Sequence, residues 1–238
     1  MQQIKALVFD VFGTLVDWRT SIAREAERSL APLGIAVDWL AFADAWRDQY
    51  QPAMEEVRAG RIPFCKLDRL HRRNLDVVLA GFGLDAVDEP VRRQLNLAWH
   101  RLDAWPDVSA GLHALRRRFF LAPCSNGNIS LMVDLARRND FPWDAILGAE
   151  VARDYKPKPA VYLAAAEAFD LRPEATMMVA AHASDLAAAA AVGLRTAFIA
   201  RPDEFGPGRG EAAATVAVDV SAGSVVELAR MLGVPDDA

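Results

Sequence analysis

The chain has 238 residues, of which 53% are hydrophobic and 25% charged, and a formal net charge of −5 at pH 7. This composition is that of a globular protein, long enough for one large domain or for a domain with a helical insertion. The negative charge argues against nucleic acid as a main partner, because binding phosphates needs a basic surface. No apolar run approaches the roughly 20 residues that span a bilayer, so no membrane partner is expected.

The two cysteines, Cys65 and Cys124, are far apart in the sequence and do not have the spacing of metal ligands. Free thiols are typical of the reducing cytosol. The N-terminal apolar run is interrupted early by Asp10, which is unlike a signal peptide. We therefore expect a cytoplasmic protein.

Five short apolar segments have the pattern of buried strands, at residues 4–9, 119–124, 145–147, 176–181 and 196–200. Helical patterns follow the later ones, at 129–138, 160–169 and 185–192, and a final helix is predicted at 221–234. Alternating apolar strands and helices indicate a parallel sheet covered on both faces. The sequence therefore predicts an α/β fold with a doubly wound, Rossmann-like core.

About a hundred residues of helical pattern separate the first two predicted strands. Apolar residues recur at helical spacing in four stretches, at 22–33, 40–50, 67–79 and 91–99. Four helices are too many for one crossover connection. We expect a helical cap domain at 17–100, inserted into a catalytic core formed by 1–16 and 101–238, where it would cover the strand ends.

Polar residues occur where a parallel sheet exposes the carboxyl ends of its strands. Asp10 follows the first predicted strand, Ser125 and Asn126 follow the second, Lys156 precedes a helix, and Asp185 follows the fourth strand. Taken singly, each has a structural explanation, because Ser and Asp are common helix caps and a loop lysine is usually exposed. Their order, each at a strand end or helix start, favours one shared site.

These motifs resemble those of the haloacid dehalogenase superfamily. The matching parts are residues 10–14 (DVFGT), residues 125–127 (SNG), Lys156 within residues 155–159 (YKPKP), and Asp185. The resemblance spans the whole chain, including the predicted cap between the first two motifs. It implies that Asp10 is a nucleophile at the edge of a Rossmann-like sheet.

Two positions bear on the choice of reaction within this superfamily. As the resemblance implies, the magnesium phosphatases of this superfamily need an acid two residues after the nucleophile, where this chain has Phe12. They also need a further metal-binding acid at the position where this chain has Ala181. Mg²⁺ requires near-octahedral oxygen ligation, and phosphoryl transfer requires charge neutralisation. The segment from Phe12 to Thr14 instead resembles the L-2-haloacid dehalogenase branch, which implies no metal and no cofactor.

The resemblance implies that Asp10 displaces halide from a short 2-haloacid and forms an ester, which water hydrolyses to a 2-hydroxy acid. Lys156 would keep Asp10 ionised, Asp185 would hold Lys156 and orient the water, and Thr14 would hydrogen-bond Asp10. An ion pair at about 4 Å contributes about 4 kcal/mol at an effective dielectric near 20, which outweighs a moderate effect of burial. Two alternatives remain, a magnesium phosphatase and a non-catalytic protein that kept the fold.

The same resemblance implies which further residues bind the substrate and the halide. Ser125 and the backbone N–H groups of Val11 and Phe12 would bind the substrate carboxylate, Arg47 and Asn126 would bind the halide, and Tyr162 would lie near Lys156. Arg47 has an alternative as a surface residue paired with Asp44 or Asp48, and Tyr162 has one in helix packing. A homodimer is a further expectation from the family.

His182 departs from the family pattern, which has serine and asparagine in this segment. One interpretation is a structural histidine, and the other is a donor to the leaving halide or to the carboxylate. A hydrogen bond to a charged group contributes roughly 1.5–3 kcal/mol, which corresponds to one or two powers of ten in rate. Because fluoride is a poor leaving group that needs strong donors, we expect haloacetates as substrates, with fluoroacetate among the candidates.

Overall fold

A parallel sheet forms the centre of the protein. The computed structural model describes residues 4–234. The strands are β1 (Ala6–Phe9), β2 (Val16–Asp17), β3 (Asp103–Ala104), β4 (Phe120–Ser125), β5 (Leu147–Gly148), β6 (Thr176–Ala180), β7 (Arg195–Ile199) and β8 (Val220–Ala222). Within residues 4–234, six of them form the sheet in the order β5-β4-β1-β6-β7-β8, and every pair is parallel.

Helices connect these strands, and several begin at an aspartate. Within the described range they are α1 (Trp18–Leu30), α2 (Trp39–Asp48), α3 (Tyr50–Arg58), α4 (Leu67–Gly81), α5 (Glu89–Asn96), α6 (Val108–Arg116), α7 (Ile129–Asn139), α8 (Ala149–Ala152), α9 (Pro159–Glu167), α10 (Ala183–Ala191) and α11 (Val225–Met231). The carboxylates of Asp17, Asp38 and Asp88 accept hydrogen bonds from free backbone N–H groups at the starts of α1, α2 and α5.

Alternate residues of β1 enter different apolar clusters. Leu7 and Phe9 belong to the cluster that includes α6, α7 and α11, whereas Val8 belongs to the cluster that includes α9 and α10. Because successive side chains of a strand point to opposite faces, helices cover both faces of the sheet. Burying each such side chain contributes roughly 1.5–3 kcal/mol. The predicted doubly wound α/β fold is confirmed.

The elements between β2 and β3 are helical, and we call residues 18–101 the helical insertion. β2 and β3 pair antiparallel, with Val16 opposite Ala104, so the chain leaves and re-enters the core side by side. The single helix predicted at 40–50 is wrong, because Gln49 ends α2 and begins α3. Pro52 cannot donate the N–H that a continuous helix would need there.

The division into a cap domain at 17–100 and a core at 1–16 and 101–238 stays a prediction. Residues 1–3 and 235–238 of that predicted core lie outside the described residues. No helix within residues 4–234 is both long enough and apolar enough to cross a bilayer.

The helix predicted at 221–234 is wrong at its start. Val220–Ala222 forms β8, which pairs with β7 through Ala197 and Val220, and the helix is the shorter α11. Pairing with β7 favours the strand there, and Ser224 then caps α11 by accepting a hydrogen bond from the backbone N–H of Glu227. The other predicted strands differ from the structure by two residues or fewer at each end.

The sheet brings the predicted motifs to one edge. Phe9 at the end of β1 lies opposite Pro123 of β4 and Val179 of β6. The residues after these strands therefore meet at the carboxyl edge, where open α/β sheets place their ligand sites.

Candidate active site

Three buried charged side chains form the centre of the site. The Lys156 Nζ donates hydrogen bonds to Asp10 Oδ1 at 2.8 Å and to Asp185 Oδ2 at 2.5 Å. The Tyr162 hydroxyl donates to the other oxygen of Asp185 at 2.5 Å. The structure thus brings together Asp10 at the end of β1, Lys156 from the loop before α9, Tyr162 from α9, and Asp185 from the first turn of α10.

Both members of the Asp10–Lys156 pair are held in their charged forms. Burial alone would raise the pKa of Asp10, but the charge of Lys156 and the hydrogen bond from His182 lower it well below its ordinary value. Burial alone would lower the pKa of Lys156, but Asp10 and Asp185 raise it well above its ordinary value. Asp10 is therefore a carboxylate at neutral pH, as a nucleophile must be.

Thr14 connects Asp10 to the neighbouring strand. Its hydroxyl donates to Asp10 Oδ2 at 2.7 Å and accepts from the backbone N–H of Ala181 at 2.9 Å. The turn between Asp10 and Thr14 passes through Gly13, whose φ of +84° is disfavoured for other residues. The predicted hydrogen bond from Thr14 to Asp10 is present.

His182 lies between two carboxylates. Its Nδ1 is 3.2 Å from Asp10 Oδ2, and its Nε2 is 2.8 Å from Glu204 Oε2. Burial would lower the pKa of His182, but the hydrogen bonds to Asp10 and Glu204 raise it to about 10. His182 is therefore an imidazolium at neutral pH while Asp10 carries its charge.

Sequence reasoning missed Glu204, which lies in the loop after β7. Its side chain is buried, and its other oxygen accepts a hydrogen bond from Trp18 Nε1 at 3.0 Å. The carboxylate fills the space beside Gly13, since a Cβ there would lie 2.0 Å from Glu204 Oε1. Gly13 is thus a sequence signal that another group packs closely against this turn, but it does not identify Glu204 as that group.

Arg47 extends from α2 over two aromatic rings. Its guanidinium carbon lies 4.2 Å from the ring centre of Tyr50 and 5.2 Å from that of Trp18. Within residues 4–234 its buried Nη1 has no hydrogen-bond partner. The alternative pairing with Asp44 is wrong, because Asp44 binds Arg19 at 2.7 Å. Arg47 therefore keeps a donor available for an anion.

The loop after β4 supports the site in two ways. The Asn126 side-chain oxygen accepts a hydrogen bond from the backbone N–H of Lys156 at 2.8 Å, so Asn126 fixes the loop that carries the lysine. The Ser125 hydroxyl is fully buried and accepts from the backbone N–H of Gly127 at 3.0 Å. Ser125 therefore stabilises the turn after β4, and the alternative that it caps the following helix is wrong, because Asn128 is the N-cap residue of α7.

Phe12 makes an apolar wall where a phosphatase has its second acid. It is buried with 2% of its surface exposed, beside Val11 at 1%. Its ring makes edge-to-face contacts with Tyr50 at 6.1 Å and with Trp99 at 5.8 Å between ring centres. Within residues 4–234, no three His, Cys, Asp or Glu side chains are placed to share a metal ion.

A cleft of about 840 Å³ is lined by Asp10, Lys156 and Asp185 but not by Thr14, Ser125 or Glu204. Both the core and the helical insertion contribute to its lining, which includes Asp10, Phe12, Arg47, Tyr50, Asn126 and His182. Arg58 of α3 donates to the backbone carbonyl of Lys156 at 2.7 Å, so the insertion is hydrogen-bonded directly to the loop that carries the lysine.

A model of the haloacid dehalogenase-like hydrolases matches residues 4–193. The chain therefore belongs to this family, and the resemblance predicted from its motifs is confirmed. The matched range contains Asp10, Lys156 and Asp185, whereas Glu204 lies beyond it.

Named relatives are similar over most of the chain. The (S)-2-haloacid dehalogenase 1 of Pseudomonas sp. strain CBS-3 is 31% identical over 212 residues, which cover 86% of this chain and 89% of that protein. Haloacetate dehalogenase H-2 of Moraxella sp. strain B is 28% identical over 204 residues, which cover 84% and 88%. The crystal structure of the defluorinating L-2-haloacid dehalogenase Rha0230 has a TM-score of 0.94 and 45% identity, covering 96% of this chain and 95% of that one.

Proposed function

We propose that this protein is a hydrolytic 2-haloacid dehalogenase that converts short 2-haloacids to 2-hydroxy acids and halide. The observation that carries the proposal is a buried aspartate held ionised by Lys156, with Phe12 in place of a second acid. A carboxylate in this setting can attack carbon directly, and a departing halide needs no proton.

In the first step the Asp10 carboxylate attacks the α-carbon, the carbon–halogen bond breaks, and an ester forms. The halide would leave toward Arg47, whose Nη1 is free to donate among the described residues. Asn126 would contribute a second donor, and Ser125 with the N–H groups of Val11 and Phe12 would bind the substrate carboxylate. The aromatic rings that Arg47 covers exclude water, which strengthens its attraction for an anion.

In the second step water attacks the carboxyl carbon of Asp10, and the ester bond breaks to release the 2-hydroxy acid. Each oxygen of Asp10 already has a donor, Lys156 at 2.8 Å on Oδ1 and Thr14 at 2.7 Å on Oδ2, so whichever oxygen gains charge is hydrogen-bonded. Donors fixed in place before the reaction stabilise such an oxyanion at little cost of reorganisation. Asp185 and Tyr162 would hold Lys156 in position.

The substrates we propose are small haloacetates, including fluoroacetate. Support comes from the similarity to a haloacetate dehalogenase and to a defluorinating enzyme.

Halide release from chloroacetate, 2-chloropropionate and fluoroacetate tests this function. The wild-type protein is expected to release halide without added metal, and Asp10→Asn is expected to release none. The alternative is a magnesium phosphatase, which would instead release phosphate from p-nitrophenyl phosphate in the presence of Mg²⁺. Phosphate release without any halide release would overturn the proposal.

We also propose a cytoplasmic location and a homodimer. The free thiols of Cys65 and Cys124 support the location, and the dimer rests on family resemblance alone. Light scattering after size-exclusion chromatography tests the dimer, and a monomeric mass would refute it.

A further inference from the structure

A chain of hydrogen bonds leads from the nucleophile to a second buried carboxylate. It runs from Asp10 Oδ2 to His182 Nδ1 at 3.2 Å, and from His182 Nε2 to Glu204 Oε2 at 2.8 Å. Neither step of the reaction derived above uses Glu204. A buried carboxylate is costly unless it is paired and hydrogen-bonded, so its presence beside the site requires an explanation.

The loop that carries Glu204 is fixed to the loop of the nucleophile. Arg201 donates from Nε to the backbone carbonyl of Thr14 at 2.8 Å and forms an ion pair with Asp107 at 2.9 Å. Trp18 holds the other oxygen of Glu204. These contacts set the direction in which Glu204 accepts the hydrogen bond from His182.

Glu204 determines which ring nitrogen of His182 can act as a base. Because Glu204 accepts the proton on Nε2, a neutral His182 has its lone pair on Nδ1, the nitrogen that faces Asp10. A carboxylate that orients a histidine in this way is the arrangement by which hydrolases prepare a general base.

The charge on His182 changes during the reaction. In the free enzyme two carboxylates keep it protonated. Forming the ester removes the charge of Asp10, while Lys156 remains a cation nearby, so the attraction that held the proton is weakened and His182 can release it to solvent. His182 is thus neutral and able to accept a proton when the ester is present.

Asp185 is less suited to this role. Each of its oxygens already accepts a hydrogen bond of 2.5 Å, one from Lys156 and one from Tyr162. The negative charge of Asp185 therefore stabilises the Lys156 cation. Among the described side chains that contact Asp10, Lys156 is held as a cation and the Thr14 hydroxyl is a very weak base, so His182 is the one suited to accept a proton.

We propose that His182 is the general base for hydrolysis of the Asp10 ester and that Glu204 is its positioning residue, an inference that rests on the proposed function. Water gives a proton to His182 Nδ1 as its oxygen bonds to the Asp10 carboxyl carbon. The bond from that carbon to the alkyl oxygen then breaks, and the alkoxide takes the proton from His182. The Asp10 carboxylic acid returns its own proton to His182, which restores the free enzyme.

Glu204→Gln and His182→Gln test this assignment, because both keep polar side chains of similar size but remove the oriented base. In rapid-quench experiments we expect a burst of about one halide per site, followed by turnover lowered about 100-fold, the lower range of general-base effects. Intact-protein mass spectrometry should find the ester on Asp10. Asp203→Asn, an exposed neighbour on the same loop, is the control and should match wild type.

Loss of the halide burst in parallel with turnover, without accumulated ester, would overturn the proposal, as would wild-type turnover in both variants. Should Glu204→Gln fail to fold, His182→Gln carries the test, because that side chain is 21% exposed. A wild-type protein that releases no halide would refute the proposed function itself. An active wild-type enzyme whose variants accumulate no ester would refute only the roles of His182 and Glu204.

Discussion

Replacing Lys156 with methionine removes the nearer of the two cations that keep Asp10 ionised. Its Nζ lies 2.8 Å from Asp10 and 2.5 Å from Asp185. An ion pair with charge centres about 4 Å apart contributes about 4 kcal/mol at an effective dielectric of about 20. Since roughly 1.36 kcal/mol corresponds to a factor of ten in rate, ester formation should slow by about 1,000-fold at pH 7.

The cause of the loss can be identified from its pH dependence. Without Lys156, the pKa of Asp10 rises, because burial is then opposed mainly by the hydrogen bond from His182. The variant should therefore recover part of its halide release as the pH rises. The wild type should show no such rise, because its Asp10 is already ionised.

The assay is halide release from chloroacetate in single turnovers across pH 6 to 9.5, with circular dichroism to establish that the variant is folded. Lys66→Met is the matched control, because this lysine is 52% exposed and pairs with Glu150 on the surface. A folded Lys156→Met protein with the wild-type rate at pH 7 would refute the reasoning.

Three further results are expected. Arg47→Lys keeps the charge but loses the guanidinium stacked on Tyr50, so kcat/KM for chloroacetate should fall roughly 10- to 100-fold, as for loss of a charge-assisted hydrogen bond; an unchanged value would remove Arg47 from the halide site. Because the pKa of His182 is raised from 6.5 to about 10, its contribution to the free energy of unfolding is complete below about pH 6.5 and is lost as the pH rises toward 10. Urea unfolding should therefore show that the free energy of unfolding declines less over this pH range in His182→Gln than in wild type. Identical declines would contradict the protonation of His182 at neutral pH. Treatment with EDTA should leave halide release unchanged, whereas inactivation with rescue by Mg²⁺ would favour the phosphatase alternative.

The sheet and the central charged cluster could be predicted from the sequence because their signals are local. Five of the six strands in the described sheet coincide with apolar runs, and Asp10 and Asp185 lie shortly after such runs, where parallel topology brings them together. The break at Gln49 was missed because the apolar spacing continues through it, although Pro52 was a usable signal.

Glu204 could not be predicted because its significance depends on contacts distant in sequence. It lies 22 residues after His182 and 186 after Trp18, in a loop with no strand or helix pattern. The role of His182 could be predicted only in part, for the same reason. A histidine after a strand indicates a place in the site, but only the position of Glu204 shows which nitrogen faces Asp10.

Formation of an ester on Asp10 is tested most directly by mass spectrometry of that residue. After turnover of chloroacetate in heavy-oxygen water, digestion should yield an Asp10 peptide that has gained the heavy isotope, because water attacks the carboxyl carbon of the ester. In a single turnover the first product molecule should carry an ordinary oxygen taken from Asp10. Heavy oxygen found only in the product, with Asp10 unlabelled, would show that water displaces the halide itself and would contradict the account.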